Sequence, residues 1–155
     1  MPIDIVDETG RETVLAETAA AAAEAILAIV GRPDCELSIV LVGDDRMREL
    51  NHEWRGKDSP TDVLSFPQLD ANAFGPSATM LGDVVISLDT LRRQAADGGW
   101  TDPEELTRLL LHGVLHLLGH DHEDDVDARV MLAEEARVVR ELAARGIACA
   151  SEDLA

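Results

Sequence analysis

The segment between residues 112 and 122 places three histidines, His112, His116 and His122, within eleven residues. Residues four apart on a helix lie one turn apart on the same face, so the imidazoles of His112 and His116 can converge on one ion. Gly119 can adopt the left-handed conformation that ends a helix, and the chain can then turn back to bring His122 to that ion. Three imidazole ligands leave a fourth position for water, as in catalytic zinc sites. The segment therefore predicts a metal site at the end of a helix.

The spacing of these ligands, H-x3-H-x5-H, is that of the metzincin proteases. In those enzymes a glutamate follows the first histidine and activates water, but Gly113 occupies that position here. A histidine pair on a leucine-rich helix can also be packing alone, yet burying three imidazoles without a partner would be costly. We therefore expect one metal ion per chain, with Zn²⁺ favoured, although imidazole also suits Ni²⁺ and Cu²⁺.

Two further polar residues lie inside this segment. His120 falls off the ligand spacing and is expected at the surface or beside the ligands. Asp121 can orient a ligand imidazole through its second nitrogen, or it can stabilise the turn, and the sequence leaves both roles open.

The length of 155 residues fits a single domain, residues 1–155, with no internal repeat or linker. Hydrophobic residues make up 46% of the chain and aromatic residues only 3%, so we expect an aliphatic core. Strands and helices mix without a regular βαβ alternation, which predicts the α+β class: a small mixed sheet of about four strands packed with helices.

The residue pattern places these elements along the chain. Strands are predicted at residues 2–6 (an edge strand), 36–42, 63–66 and 82–88. Five helices are predicted, at residues 13–30, 44–54, 89–96, 101–119 and 124–145. Asp44 is the predicted N-cap of the second helix, and Thr101 and Glu104 form a predicted capping box at the start of the fourth. Asp124 or Asp125 is the predicted N-cap of the last helix. Residues 55–61 and 68–79 are predicted loops, the second of them mobile, and residues 146–155 a frayed tail.

The net charge of −18 argues against broad electrostatic attraction to nucleic acid or to anionic membranes. Contact with RNA would need a local basic cleft, for which six residues are available: Arg46, Arg48, Arg55, Lys57, Arg92 and Arg93. No apolar run approaches the roughly 20 residues of a membrane span, and the acidic first residues do not resemble a secretory signal. We therefore expect a cytoplasmic protein in which Cys35 and Cys149 are reduced thiols.

Three blocks of the chain resemble the YbeY family, bacterial endoribonucleases of ribosomal RNA maturation. The family motif H-G-x-L-H-L-x-G-x-D-H is met at every fixed position by residues 112–122. A second block comprises Leu50-Asn51 and residues 55–66, and a third residues 81–87. The resemblance extends over residues 36–142. His120 departs from it, because the family more often has tyrosine at that position.

The resemblance implies a small α+β fold and a zinc ion held by His112, His116 and His122. It also implies hydrolysis of single-stranded RNA, with the 16S rRNA precursor as the substrate. The reaction would serve 3′-end maturation, rRNA processing and ribosome quality control, on or near the small ribosomal subunit and its proteins. DNA and membranes are not expected as partners. The resemblance further implies that Arg55 is the functional basic residue of the second block.

Elementary chemistry agrees with a catalytic role for Arg55. Phosphodiester cleavage accumulates negative charge on non-bridging oxygens, and a guanidinium group matches phosphate bidentately. The alternative is a solvated arginine in a loop.

The other polar and aromatic candidates have less specific roles. Thr61 and Asp62 are expected to fix the turn into a strand rather than to contact substrate, and Asp83 can be a turn residue or part of the cleft wall. Trp54 and Trp100 can stack bases, but packing is the more common role of tryptophan.

Two rival functions remain open at this point. The ligand spacing fits a zinc metalloprotease, against which Gly113 argues. A zinc-containing ribosome-assembly module without catalytic activity is the third possibility.

Overall fold

The computed structural model describes residues 3–10, 13–67, 80–121 and 123–151. These residues form four strands and five helices in the order β1 (Ile3–Asp7), α1 (Thr13–Ile29), β2 (Glu36–Val42), α2 (Asp44–Arg55), β3 (Val63–Pro67), β4 (Met80–Ser87), α3 (Leu88–Gly98), α4 (Asp102–Leu117) and α5 (Asp125–Ala144). The predicted α+β class with a four-stranded sheet is confirmed.

The sheet has the strand order β1-β2-β4-β3. Strands β1, β2 and β4 are parallel, and β3 runs antiparallel to β4 at one edge. Val84 and Ile86 of β4 belong to the main core, with residues of α1 and α4, whereas Val85 packs with Met47 of α2 in a second cluster. Because alternate residues of a strand face opposite sides, α2 and α4 lie on opposite faces of the sheet.

The predicted start of α4 is confirmed in detail. The Thr101 side chain accepts a hydrogen bond from the Glu104 amide, and the Glu104 side chain accepts one from the Thr101 amide. This reciprocal pair satisfies two amide groups that a helix start leaves without intrahelical partners. The last helix also begins as predicted, with Asp124 as its N-cap.

The predicted N-cap of α2 is wrong by one residue. Gly43 is the N-cap, and Asp44 is the first helical residue. The Asp44 carboxylate accepts hydrogen bonds from the hydroxyls of Ser87 and Thr90, both at 2.7 Å, and its amide donates to Asp89. Contacts with the end of β4 and the start of α3 therefore replace the local cap that the sequence predicted.

The frayed tail is not observed for residues 146–151. The Ile147 amide donates to the Leu142 carbonyl, the Ala150 amide donates to the Glu104 carbonyl at 3.1 Å, and Ala150 is buried. This segment returns along α4, while residues 152–155 and the predicted mobile loop at residues 68–79 lie outside the described residues. Within the described ranges, no helix is both long enough and apolar enough to cross a membrane.

Candidate metal centre

Helix α4 brings two of the three predicted ligands together. The Nε2 atoms of His112 and His116 lie 3.0 Å apart, and their rings meet edge to face with centroids 4.5 Å apart. Two nitrogen ligands on a tetrahedral Zn²⁺, each at ~2.0–2.1 Å, would be about 3.3 Å apart. The pair therefore needs little adjustment to bind one ion, and both side chains are half-buried rather than sealed in the core.

The third predicted ligand, His122, lies outside the described residues. Among the residues that are described, no three His, Cys, Asp or Glu side chains form a group that could hold a metal ion. The turn that precedes His122 is as predicted. Gly119 has φ +97°, in the left-handed region, its amide donates to the His116 carbonyl, and the His120 amide donates to the Leu115 carbonyl. Three-histidine coordination thus stays a prediction.

A carboxylate that the sequence analysis missed lies beside the first predicted ligand, His112. Oε1 of Glu135, on α5, is 3.2 Å from Nδ1 of His112, and the two side chains are 30% and 32% exposed. Glu134, the preceding residue, instead binds Arg137, whose hydrogen bond holds the pKa of the Glu134 carboxyl below its usual value. No sequence signal separates these adjacent acids, because their partners depend on how α5 packs against α4.

Helix α4 lies directly against the sheet at Gly113. The Ser65 hydroxyl of β3 donates to the Gly113 carbonyl at 3.2 Å. A Cβ atom added to Gly113 would lie 2.9 Å from Val84 Cγ1 and 3.3 Å from Ser65 Oγ. A side chain at this position would therefore enter the interface between α4 and the sheet. The glycine that replaces the protease glutamate has a packing function here.

Arg55 is the last residue of α2, not a loop residue, and Gly56 ends the helix with φ +72°. The Arg55 side chain is exposed and forms no ion pair with any side chain in the described part of the chain. Its charge is thus available to a phosphate group. It also makes no described contact with His112 or His116, so its predicted place beside the metal remains untested.

Four of the six cations that are available for a basic cleft are paired with carboxylates, which reduces the positive charge they could offer to RNA. These pairs are Arg46 with Glu8 and Glu49, Arg48 with Asp58, Arg92 with Asp102, and Arg93 with Asp44. Lys57, like Arg55, is exposed and has no described ion pair. Of these six candidate cleft residues, Arg55 and Lys57 are therefore the two without a described ion pair.

Other predicted residues have structural contacts. Asp62 accepts hydrogen bonds from the Val63 amide at 2.7 Å and from the Thr61 hydroxyl at 3.3 Å, which supports the turn-fixing role. Trp54 is 63% exposed and meets Phe66 edge to face, so packing does not account for most of its surface. Asp83 lies within β4, not in a turn.

Trp100 packs against neighbouring side chains. Its ring lies under the Arg108 guanidinium, 5.9 Å from the ring centroid, and it fills the space beside Gly98. The packing role that the sequence favoured for tryptophan is therefore observed for Trp100.

A cavity of about 210 Å³ lies between α4, α5 and the returning tail, and His112, Glu135 and Cys149 contribute to its wall. Burial raises the pKa of the Cys149 thiol to about 12. The thiolate is the form that binds metals and acts as a nucleophile. The raised pKa therefore favours the protonated thiol at neutral pH and argues against Cys149 as a metal ligand or nucleophile.

Sequence comparison identifies relatives over most of the chain. The family described as Endoribonuclease YbeY matches residues 4–143. The protein named Endoribonuclease YbeY from Anaeromyxobacter sp. (strain Fw109-5) is 56% identical over 118 residues, 76% of this chain and 60% of that protein. Its namesake from Sulfurihydrogenibium sp. (strain YO3AOP1) is 48% identical over 120 residues, 77% of this chain and 78% of that protein.

The solution structure of TM1509 from Thermotoga maritima has the same fold. It superposes with a TM-score of 0.65 at 30% identity and covers 93% of this chain and 91% of its own. The chain spans about 60% of the length of the Anaeromyxobacter relatives. From the extent of the family match and the identity to these relatives, the chain belongs to the YbeY family.

Proposed function

We propose that this protein is a metal-dependent endoribonuclease that cleaves single-stranded RNA, with one Zn²⁺ held by His112, His116 and His122. The convergence of the His112 and His116 Nε2 atoms, 3.0 Å apart, is the observation that carries the proposal. The relatives named as endoribonucleases support the reaction class. Ni²⁺ and Cu²⁺ remain chemically acceptable to an imidazole site.

The residues of this chain have separate tasks in the proposed reaction. When bound, Zn²⁺ supplies a Lewis acid for a phosphoryl oxygen or lowers the pKa of water to about 7. The two histidines of α4 present imidazole nitrogens from one helix face. Arg55, which has no described carboxylate partner, holds the non-bridging phosphate oxygens with its guanidinium fork and stabilises their charge as the bond breaks.

The proposed substrate is the single-stranded part of a 16S rRNA precursor. The protein would act on it during 3′-end maturation, rRNA processing and ribosome quality control on the small ribosomal subunit. Membership of the YbeY family supports this assignment. The net charge of −18 and the pairing of most candidate cleft arginines argue against a broad RNA-binding surface, so the proposed contact with RNA is local and centred on Arg55. DNA and membranes are not proposed as partners.

Paired cleavage assays test the proposal against its two rivals. Single-stranded RNA and an unfolded casein-like protein are offered to the zinc-loaded chain and to the metal-stripped chain. We expect zinc-dependent cleavage of RNA and no appreciable peptide cleavage, because Gly113 cannot supply the protease carboxylate. Zinc-dependent peptide cleavage would establish the metalloprotease instead. Binding of zinc with no cleavage of either substrate would indicate the ribosome-assembly module.

A further inference from the structure

The contact between Glu135 and His112 joins helix α5 to the proposed metal centre. Nδ1 of His112 faces Oε1 of Glu135 at 3.2 Å, and Nε2 of the same ring faces Nε2 of His116 at 3.0 Å. The imidazole of His112 thus has a carboxylate at one nitrogen and the proposed metal position at the other. The residues come from different helices and are 23 positions apart in the chain.

The chemistry of this contact decides which nitrogen of His112 carries the proton. An ionised carboxylate has only acceptor atoms, and a neutral imidazole has one N–H and one bare nitrogen. The nitrogen that faces Glu135 must therefore be the N–H. The lone pair is then on Nε2, on the side of His116, where a metal ion would need it.

We infer that Glu135 is the positioning residue of the metal centre: it holds His112 in the Nδ1–H tautomer and turns its Nε2 lone pair towards His116. This inference rests on the proposed metal site, since Glu135 acts through a ligand rather than on substrate. Carboxylates that bind the outer nitrogen of a ligating histidine fix the ring and strengthen its donor atom.

The neighbouring acid on α5 supplies a matched control. Glu134 differs from Glu135 by one position and has the same charge, but its carboxylate is bound by Arg137. Removing either carboxylate changes the net charge equally. Only the removal of Glu135 takes a hydrogen-bond partner from His112.

The first measurement is zinc affinity, determined by competition with a chromophoric chelator. Glu135→Ala should bind Zn²⁺ about 10–100-fold more weakly than the wild type. Glu135→Gln, whose amide oxygen still accepts a hydrogen bond, should recover most of this loss, and Glu134→Ala should change the affinity little. An affinity of Glu135→Ala equal to that of Glu134→Ala would overturn the inference. So would a Glu135→Gln variant as weak as Glu135→Ala.

The second measurement does not require metal. Imidazole ¹⁵N chemical shifts of the metal-free chain, recorded at a pH where imidazoles in general are neutral, report the tautomer of His112, assigned by comparison with His112→Ala. We expect the proton on Nδ1 in the wild type and a mixture of tautomers in Glu135→Ala. A proton on Nε2 in the wild type would contradict the inference. If the wild type binds no zinc, the proposed metal site fails, and the tautomer alone then decides whether Glu135 positions His112.

Discussion

Gly113 of α4 packs against Val84 of β4 so closely that a Cβ atom at position 113 would lie 2.9 Å from Val84 Cγ1. Val84 is fully buried on an inner strand of the sheet and is stiff at χ1, so it cannot move aside cheaply. Position 113, where metzincins carry the general base, therefore lies in the packed interface between α4 and the sheet in this fold.

Gly113→Ala should destabilise the protein even though alanine is the better helix former. The propensity gain of up to about 1 kcal/mol is outweighed by overpacking, which typically costs about 1–3 kcal/mol. The net loss should be on the order of 1–2 kcal/mol in the free energy of unfolding. Denaturant unfolding of Gly113→Ala, Val84→Ala and the double variant provides the test. The double variant should lose less free energy of unfolding than the two single variants lose together, with a difference of about 0.5 kcal/mol or more. Strict additivity of the two losses would disprove the contact.

Gly113→Glu should not become a protease. Its side chain would enter the same interface, against Val84 and Ser65, and would bury a carboxylate there. We expect a strongly destabilised protein with low RNA cleavage and no peptide cleavage, measured at equal zinc occupancy. A stable variant that cleaves casein would show that the side chain reaches the metal centre instead.

His116→Ala should remove the metal without unfolding the chain, because His116 is half-buried on α4 rather than part of the core. Elemental analysis of purified protein should give one zinc per chain for the wild type and a large loss for this variant. His120→Ala is the control, since His120 falls off the ligand spacing, and it should retain the metal. Full stoichiometric zinc in His116→Ala would exclude it as a ligand.

Arg55→Ala should keep the fold and the metal but lose most RNA cleavage. The loss of one cationic contact to the developing phosphate charge typically reduces the rate ~10²–10³-fold. Arg55→Lys should also be impaired, because a point charge lacks the guanidinium fork.

The matched control is Arg48→Ala on the same helix, whose guanidinium is already bound to Asp58 at 2.8 and 3.0 Å. Its rate should stay within a few-fold of the wild type. Wild-type turnover in both Arg55 variants would assign Arg55 to the solvated surface.

The Asp44 carboxylate should make the stability dependent on acid pH. Burial alone would raise its pKa, but hydrogen bonds from Thr90, Ser87 and Arg93 outweigh burial and lower it. Because the pKa is lower in the folded state, the stabilisation is complete above the unfolded value of about 3.9. It is lost as the pH falls through the folded pKa.

Asp44→Asn should therefore reduce the free energy of unfolding at pH 7, by on the order of 1–2 kcal/mol. The difference from the wild type should shrink below about pH 4, as the wild-type carboxyl is protonated. Denaturant unfolding at pH 7, 4 and 3 measures this. Asp45→Asn, in the same first turn but exposed, should show a smaller difference at pH 7. An Asp44→Asn effect that is equal at pH 7 and pH 3 would contradict the assignment.

Local sequence patterns were enough to predict several features of this fold and of the candidate site. The capping box at Thr101, the shared helix face of His112 and His116, and the left-handed turn at Gly119 all follow from backbone geometry over a few residues, and all are observed. The order and type of the main elements follow for the same reason, because hydrophobic periodicity and turn residues act within each segment.

Tertiary packing sets which groups from distant parts of the chain meet. Packing places Glu135, and not Glu134, against His112. It also places Val84 in the space beside Gly113. Asp44, which the sequence predicted as a helix cap, instead accepts hydrogen bonds from Ser87 and Thr90. Adjacent acids on α5 are equivalent in sequence but point in different directions, about 100° apart around a helix. Which of them faces α4 is set by how the two helices pack, and that depends on the whole core rather than on any local pattern.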